Sequence, residues 1–134
     1  MKEPKRSGCP ISFSLEIFGD RWSLLILRDI AFRGGRYFQD FLDSGEGIAT
    51  NVLADRLARL ERHGVLEKRP DPDDGRRQRY LLSEAGLDLI PVLVDLTIWG
   101  GHHDPGSVFP RARLGRMERD REGAIEYYRE RARA

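Results

Sequence analysis

Between Arg69 and Tyr80 the chain reads RPDPDDGRRQRY, an acidic turn followed at once by Arg76, Arg77 and Arg79. Proline presets φ and glycine accepts positive φ, so Asp71-Pro72-Asp73-Asp74-Gly75 makes a sharp reversal. VLEKR before it and RQRYLL after it read as the two strands of a hairpin. Three guanidiniums near a hairpin tip suit phosphate oxygens and the narrow minor groove, whose negative potential attracts arginine. The aspartates are expected to hold the arginines in place when nucleic acid is absent and to limit indiscriminate binding. The competing reading is a solvated hairpin whose charges serve solubility alone.

A second set of polar residues lies just upstream, in IATNVLADRLARLERHG. Leu53, Leu57 and Leu60 repeat at helical spacing and set the inward face. Steps of about 100° per residue then turn Asn51, Asp55, Ala58 and Arg62 outward, with Thr50 and Arg59 at the flanks. In helix-turn-helix proteins the N-terminal part of the second helix meets the base edges. Thr50, Asn51 and Asp55 are therefore the base-reading candidates: asparagine pairs with adenine, and aspartate accepts from cytosine N4. Asp55 has an alternative use, orienting Arg59 through an i, i+4 pair. Arg36, at the start of the preceding short helix, is a candidate phosphate contact.

The remaining reactive side chains form no catalytic set. No nucleophile–base pair, phosphate-cradling loop or metal cluster is visible, so an enzyme is not expected, and neither is a cofactor. His102-His103-Asp104 lacks a further ligand at convincing spacing and reads as a polar linker rather than a metal site. His63 suits the negative end of its helix. Trp22 and Trp99 read as anchors in the core or between subunits rather than as ligand-stacking residues. Cys9 is the single cysteine, which excludes an internal disulfide and suits a reducing cytosol.

The elements that must carry these residues can be placed from their punctuation. Met1 to Gly8 is polar and basic, with no apolar segment behind it, so residues 1–8 are expected to be a loose arm and not a leader. Pro10 starts a helix bearing Ile11, Leu15 and Phe18, which Gly19 stops. Asp20 caps the next, RWSLLILRDIAF, which is apolar almost all round and should run through the centre. Gly34-Gly35 turns the chain into a short helix, YFQDFLDS, with Phe38, Phe41 and Leu42 on one face. GEG at 45–47 is another turn, and Gly64 ends the leucine-striped helix. After the hairpin, Ser83 opens a helix over 84–99, kinked at Pro91, whose apolar surface is too large for one side of a small monomer. GGHHDPGSVFP is a connector. The charged tail is expected to be a helix whose thin seam of Leu114, Met117, Ile125 and Tyr128 lies against a partner.

Lys and Arg number 23, Asp and Glu 22, so the net charge of +1 neither favours nor excludes nucleic acid; any basic footprint is local. No apolar run approaches the ~20 residues of a membrane span. The order helix, helix, short helix, helix, hairpin, helix is the layout of a winged helix.

In that order CP, RW with LLIL, YFQDF, GIATNVLADRLARLERHGVLEKR, DGRRQRY, LLSEAG and the closing WG resemble the HxlR-type winged-helix regulators, relatives of the MarR group. The resemblance covers roughly residues 9–100. It implies a mainly α fold with a small β-hairpin, a winged helix-turn-helix dimerising through its terminal helices. It implies a homodimeric, sequence-specific transcriptional regulator, expected to be a cytoplasmic repressor. The recognition helix would be about 49–63, in the major groove, and the wing about 70–79, in the minor groove. Residues 101–134 would be a linker and helical extension at the dimer interface. Ala49 departs from the family pattern, where many members carry a capping serine; Thr50 is then the expected cap. Some members sense oxidants or electrophiles through an N-terminal cysteine that Cys9 resembles, and a helix N-terminus beside Lys5 and Arg6 favours a reactive thiol. The bland alternative for Cys9 is a structural residue buried between subunits. The competing function is a winged-helix protein-interaction module without DNA binding. The effector is left open.

Overall fold

The computed structural model of the chain describes residues 7–133. Most of the expected basic arm, including Lys5 and Arg6, thus lies outside the described residues. α1 (Pro10–Phe18) begins with its proline at the first helical positions, and Gly19 closes it by donating to the Leu15 carbonyl. It is followed by α2 (Ser23–Arg33), whose start Asp20 organises. One Asp20 carboxylate oxygen accepts the N–H groups of Trp22 (2.9 Å) and Ser23 (3.0 Å), and the other takes the Ser23 hydroxyl (2.6 Å). Burial opposes the charge, but these bonds and the Arg56 guanidinium hold the Asp20 carboxyl below its ordinary range.

α2 runs through the centre, with Ile26, Leu27 and Ile30 buried. It is not apolar all round, because Asp29 is buried as well. Arg28 satisfies that carboxylate through Nε (3.1 Å) and Nη2 (2.9 Å) and reaches Glu46 with Nη1 (2.8 Å). Burial nevertheless pushes the Asp29 carboxyl up. The same guanidinium thus fastens the 43–49 loop to the central helix.

α3 (Phe38–Leu42) is a five-residue helix whose Asp40 carboxylate accepts from the N–H groups of Arg36 (2.9 Å) and Tyr37 (3.0 Å). α4 (Thr50–Arg62) presents Leu53, Leu57 and Leu60 to the core, as the stripe predicts. Thr50 does not cap it. Ala49 is the extended residue at the N-cap, and no side chain bonds there. Thr50 is already helical, and a capping side chain must come from the extended residue before the helix.

β1 (Leu66–Pro70) and β2 (Gln78–Leu82) pair antiparallel, from Leu66 opposite Leu82 to Pro70 opposite Gln78. Ser83 then starts α5 (Glu84–Leu87) by accepting the Gly86 N–H (3.1 Å). The single kinked helix expected over 84–99 is two helices. Pro91 cannot donate to the Leu87 carbonyl, so the chain breaks at Asp88-Leu89 and resumes as α6 (Ile90–His103). α6 also takes in residues 100–103, which shortens the connector to 104–110.

The tail likewise forms two helices, α7 (Arg111–Arg119) and α8 (Arg121–Ala132), broken at Asp120, whose carboxylate accepts the Gly123 N–H (3.0 Å). Leu114, Met117, Ile125 and Tyr128 are all buried within this chain, so the seam meets its own domain rather than a partner. α8 packs on both α2 and α6. The Phe32 and Tyr128 rings meet at 4.3 Å between centroids. Burying this seam extends a core that a chain ending near residue 100 would leave open on one side.

The architecture is mostly helical with one two-stranded antiparallel hairpin, a winged helix-turn-helix, with α3 and α4 as the helical pair and β1–β2 as the wing. No helix among the described residues is long and apolar enough to cross a membrane.

Candidate nucleic-acid interface

The wing tip is organised around Asp71, which is buried despite its place in a turn. One oxygen accepts the N–H groups of Asp73 (3.0 Å) and Asp74 (2.9 Å); the other receives the Tyr37 hydroxyl. The Tyr37 hydroxyl, helped by the two backbone donors and Arg77, holds the Asp71 carboxyl below its ordinary range, and the same bond pushes the phenol up. Asp71 N–H donates to the Arg77 carbonyl (2.9 Å), and Arg77 N–H donates to the Asp74 carbonyl (2.9 Å).

The three wing arginines are not equivalent. Arg76 is 93% exposed at its side chain, with a long contact of 3.4 Å to Asp74. The Arg77 guanidinium lies 3.8 Å above the Tyr37 ring and is also exposed. Arg79 sits half-buried in β2, opposite Arg69. The expectation that the aspartates hold the arginines is met by Asp74 with Arg76. Asp71 holds the turn itself, because its carboxylate points inward to the backbone, and an aromatic ring steadies Arg77. Tyr37 was not recognisable from sequence: nothing in GGRYF announces a residue that will meet a turn 34 positions later.

On α4, Thr50, Asn51 and Asp55 are exposed, at or near the helix N-terminus. Asp55 pairs with its neighbour Arg56 rather than with Arg59. Arg56 reaches on to Asp20 (3.0 Å), linking α4 to the start of α2. Arg59 instead donates to the Glu16 carbonyl (3.1 Å), one of the last-turn carbonyls of α1 that have no partner within their own helix.

Arg36 is also turned to structure. Its guanidinium donates to the carbonyls of Ile30 (3.0 Å), Gly35 (2.8 Å) and Arg131 (3.2 Å). Its own carbonyl accepts from the Tyr80 N–H of β2 (2.7 Å). Burial lowers its pKa from the usual arginine value, with Arg79 and Arg131 adding to the effect. Arg36 therefore joins α2, α8 and the wing, and its donors are not directed at a phosphate.

Cys9 is exposed at the N-cap of α1 in the single chain. Near it, Ile11 and Leu15 are exposed; on α6, Val92, Leu96 and Trp99 make an exposed stripe at i, i+4, i+7. Trp22 packs partly buried against the core. His102 meets Glu118 (2.7 Å) across α6 and α7, and His103 stacks on Trp99 at 4.4 Å. No group of three or more metal-ligating side chains occurs among the described residues.

An exposed second helix, a wing carrying cations, and a core that buries the opposite faces define a winged helix-turn-helix protein of the transcription-factor type. Residues 17–107 match the model of the HxlR-like helix-turn-helix family, and the chain belongs to that family. An uncharacterised HTH-type transcriptional regulator of Mycobacterium tuberculosis is 38% identical over 107 residues, 80% of this chain and 66% of that protein. The chain thus spans slightly less than two thirds of the length of this relative. The crystal structure of PA1607, a candidate transcription factor, is 39% identical and superposes with a TM-score of 0.71, covering 79% of this chain and 74% of that one. The quinone-bound regulator YodB from Bacillus subtilis is 25% identical with a TM-score of 0.57, covering 70% and 99%. The family and these relatives are transcriptional regulators, not enzymes.

Proposed function

We propose that the protein is a homodimeric repressor that binds double-stranded DNA in a sequence-specific manner. One observation carries the reading: the exposed N-terminal turn of α4 and the exposed arginines of the wing belong to one folded unit, with Tyr37 of the α3 N-cap touching both Asp71 and Arg77 of the wing. Thr50, Asn51 and Asp55 would read base edges in the major groove, and Arg76, Arg77 and Arg79 would meet phosphates or the minor groove. Arg36, three of whose donors go to carbonyls, serves the fold first, and Arg59, with one donor on the Glu16 carbonyl, keeps others for a phosphate. Two copies would pair through α1 and α6, whose apolar stripes are otherwise left in water. They would read half-sites about one helical turn apart.

The test is fluorescence anisotropy with the DNA flanking its own gene, across a salt series, against random duplex. Steeply salt-dependent, specific binding is expected. Arg77→Ala should weaken binding on every sequence and reduce the salt slope by about one. Asn51→Ala should cost discrimination at one base position instead. Absence of any DNA binding at low salt would favour the protein-interaction module, for which the Asp55 carboxylate on the reading face is the motive.

Cys9 is the candidate for a thiol signal. It is exposed at the edge of the apolar α1 face, and the similar regulator YodB has been solved with a quinone bound. With one cysteine per chain, oxidation must join two copies or leave an adduct. Cys9→Ser should leave DNA binding intact and abolish any response to diamide or benzoquinone. A response that survives in the variant places the signal elsewhere.

A further inference from the structure

α7 and α8 enclose a groove of about 670 Å³, within the usual size range of small-molecule sites. Arg113, Arg116, Arg119 and Arg131 line it. Asp120 is the one carboxylate among the lining residues, and it caps α8 by accepting the Gly123 N–H. None of the four guanidiniums forms an ion pair among the described residues. Arg28, Arg56, Arg121 and Arg133 elsewhere in this charge-balanced chain each meet a carboxylate. Arg113 donates to the Tyr128 hydroxyl and lies over the Phe109 and Tyr128 rings at 5.0 and 5.8 Å. Arg131 lies 5.4 Å from the exposed Tyr127 ring. The exposed Tyr127 ring and Ala124, with the edges of the buried Met117 and Tyr128 behind them, give the same groove an apolar wall.

We infer that this groove binds a small aromatic carboxylate. The cations call for an anion, and a planar carboxylate suits the guanidinium fork, which can hold it through two parallel bonds. An inorganic anion would use the arginines and leave the exposed Tyr127 ring idle. A neutral aromatic would leave four like charges uncompensated around the groove. DNA phosphates would meet the arginines but have no use for a concave apolar wall. The site lies beyond residues 17–107 of the family match, so it belongs to the extension and not to the shared helix-turn-helix. An occupant would bear on Arg131, whose carbonyl holds Arg36, which in turn holds Tyr80 of the wing strand. That regulatory consequence rests on the DNA-binding reading; the binding itself does not.

The experiment is calorimetric titration of the full chain, without DNA, using 1-naphthoate as probe and 1-naphthalenemethanol and acetate as controls. Saturable binding of one naphthoate per chain is expected, with no measurable binding of either control. The double substitution Arg116→Ala with Arg119→Ala removes only exposed side chains and should leave the melting temperature near the parent value. It should weaken naphthoate at least tenfold. Tyr127→Ala should weaken naphthoate while leaving the charge intact. No saturable naphthoate binding by the parent chain, or binding unaffected by the double substitution, would overturn the assignment. So would a double variant that loses affinity for duplex DNA and retains naphthoate, since the arginines would then be phosphate contacts. Failure of DNA binding alone would leave the titration result standing and would refute only the regulator reading.

Discussion

Asp71 shows how one carboxylate can shape a functional tip without touching the ligand. Its bonds to the Tyr37 hydroxyl and to the Asp73 and Asp74 N–H groups favour the ionised form and weaken when the carboxylate is protonated. Its folded pKa lies below the ordinary carboxylate value, so the ionised form stabilises the tip at pH above that value. The contribution is lost as pH falls through the depressed folded pKa. The NMR signals of the Asp73 and Asp74 amides should therefore move toward disordered positions on acidification, before the rest of the domain unfolds. Asp71→Asn should remove that acid-dependent step. Tyr37→Phe keeps the ring beneath Arg77 but removes the hydroxyl; faster amide exchange at Asp73 and Asp74 is expected, with α4 unchanged. Unaltered exchange in that variant would mean that the turn holds itself.

At the scale of elements, the joints matter more than the elements themselves. Arg56, Arg59 and Arg36 each come from a surface-looking sequence, yet each ties one element to another: α4 to the start of α2, α4 to α1, and α2 to α8 and the wing. Arg36→Met should destabilise the fold by about 2 kcal/mol, because carbonyls lose their donors in a partly buried place. It should leave the slope of DNA affinity against salt unchanged. A phosphate contact would behave in the opposite way, lowering the slope at constant stability, so a denaturation curve and a salt series together decide the matter. The two helix breaks, at Asp88-Leu89 and at Asp120, turn what would be long rods into pairs that can fold back over the core.

For the whole molecule, the unfinished surface is the apolar stripe of α6, where Trp99 remains 64% exposed, and the outer face of α1, where Ile11 is 70% exposed. Apolar surface of this kind would be covered by the partner copy proposed above. Leu96→Glu, which places a charge in the stripe, should shift the protein to a monomer in sedimentation velocity and weaken DNA binding with it, since both half-sites would no longer be held together. A dimer that persists in that variant would move the interface away from α6. The tail does not serve that face through its seam, which is spent on α2 and α6 of the same chain.

Periodicity and punctuation were enough to place the helical order, the leucine face of α4 and the hairpin, because turns built from proline, aspartate and glycine and the i, i+4, i+7 repeat are local properties. The exposed positions of Thr50, Asn51, Asp55, Arg76 and Arg77 followed from the same local geometry. What a long side chain does is not local. Arg36 looks like a phosphate contact in the sequence, but α8 brings a carbonyl to it from 95 residues away, and Tyr37 carries no local signal of the wing that packs on its ring. The groove of α7 and α8 exists only because Asp120 breaks the tail and the seam finds its own domain. A guanidinium reaches several ångströms beyond its backbone, so its partner is chosen by whichever acceptor the tertiary fold delivers.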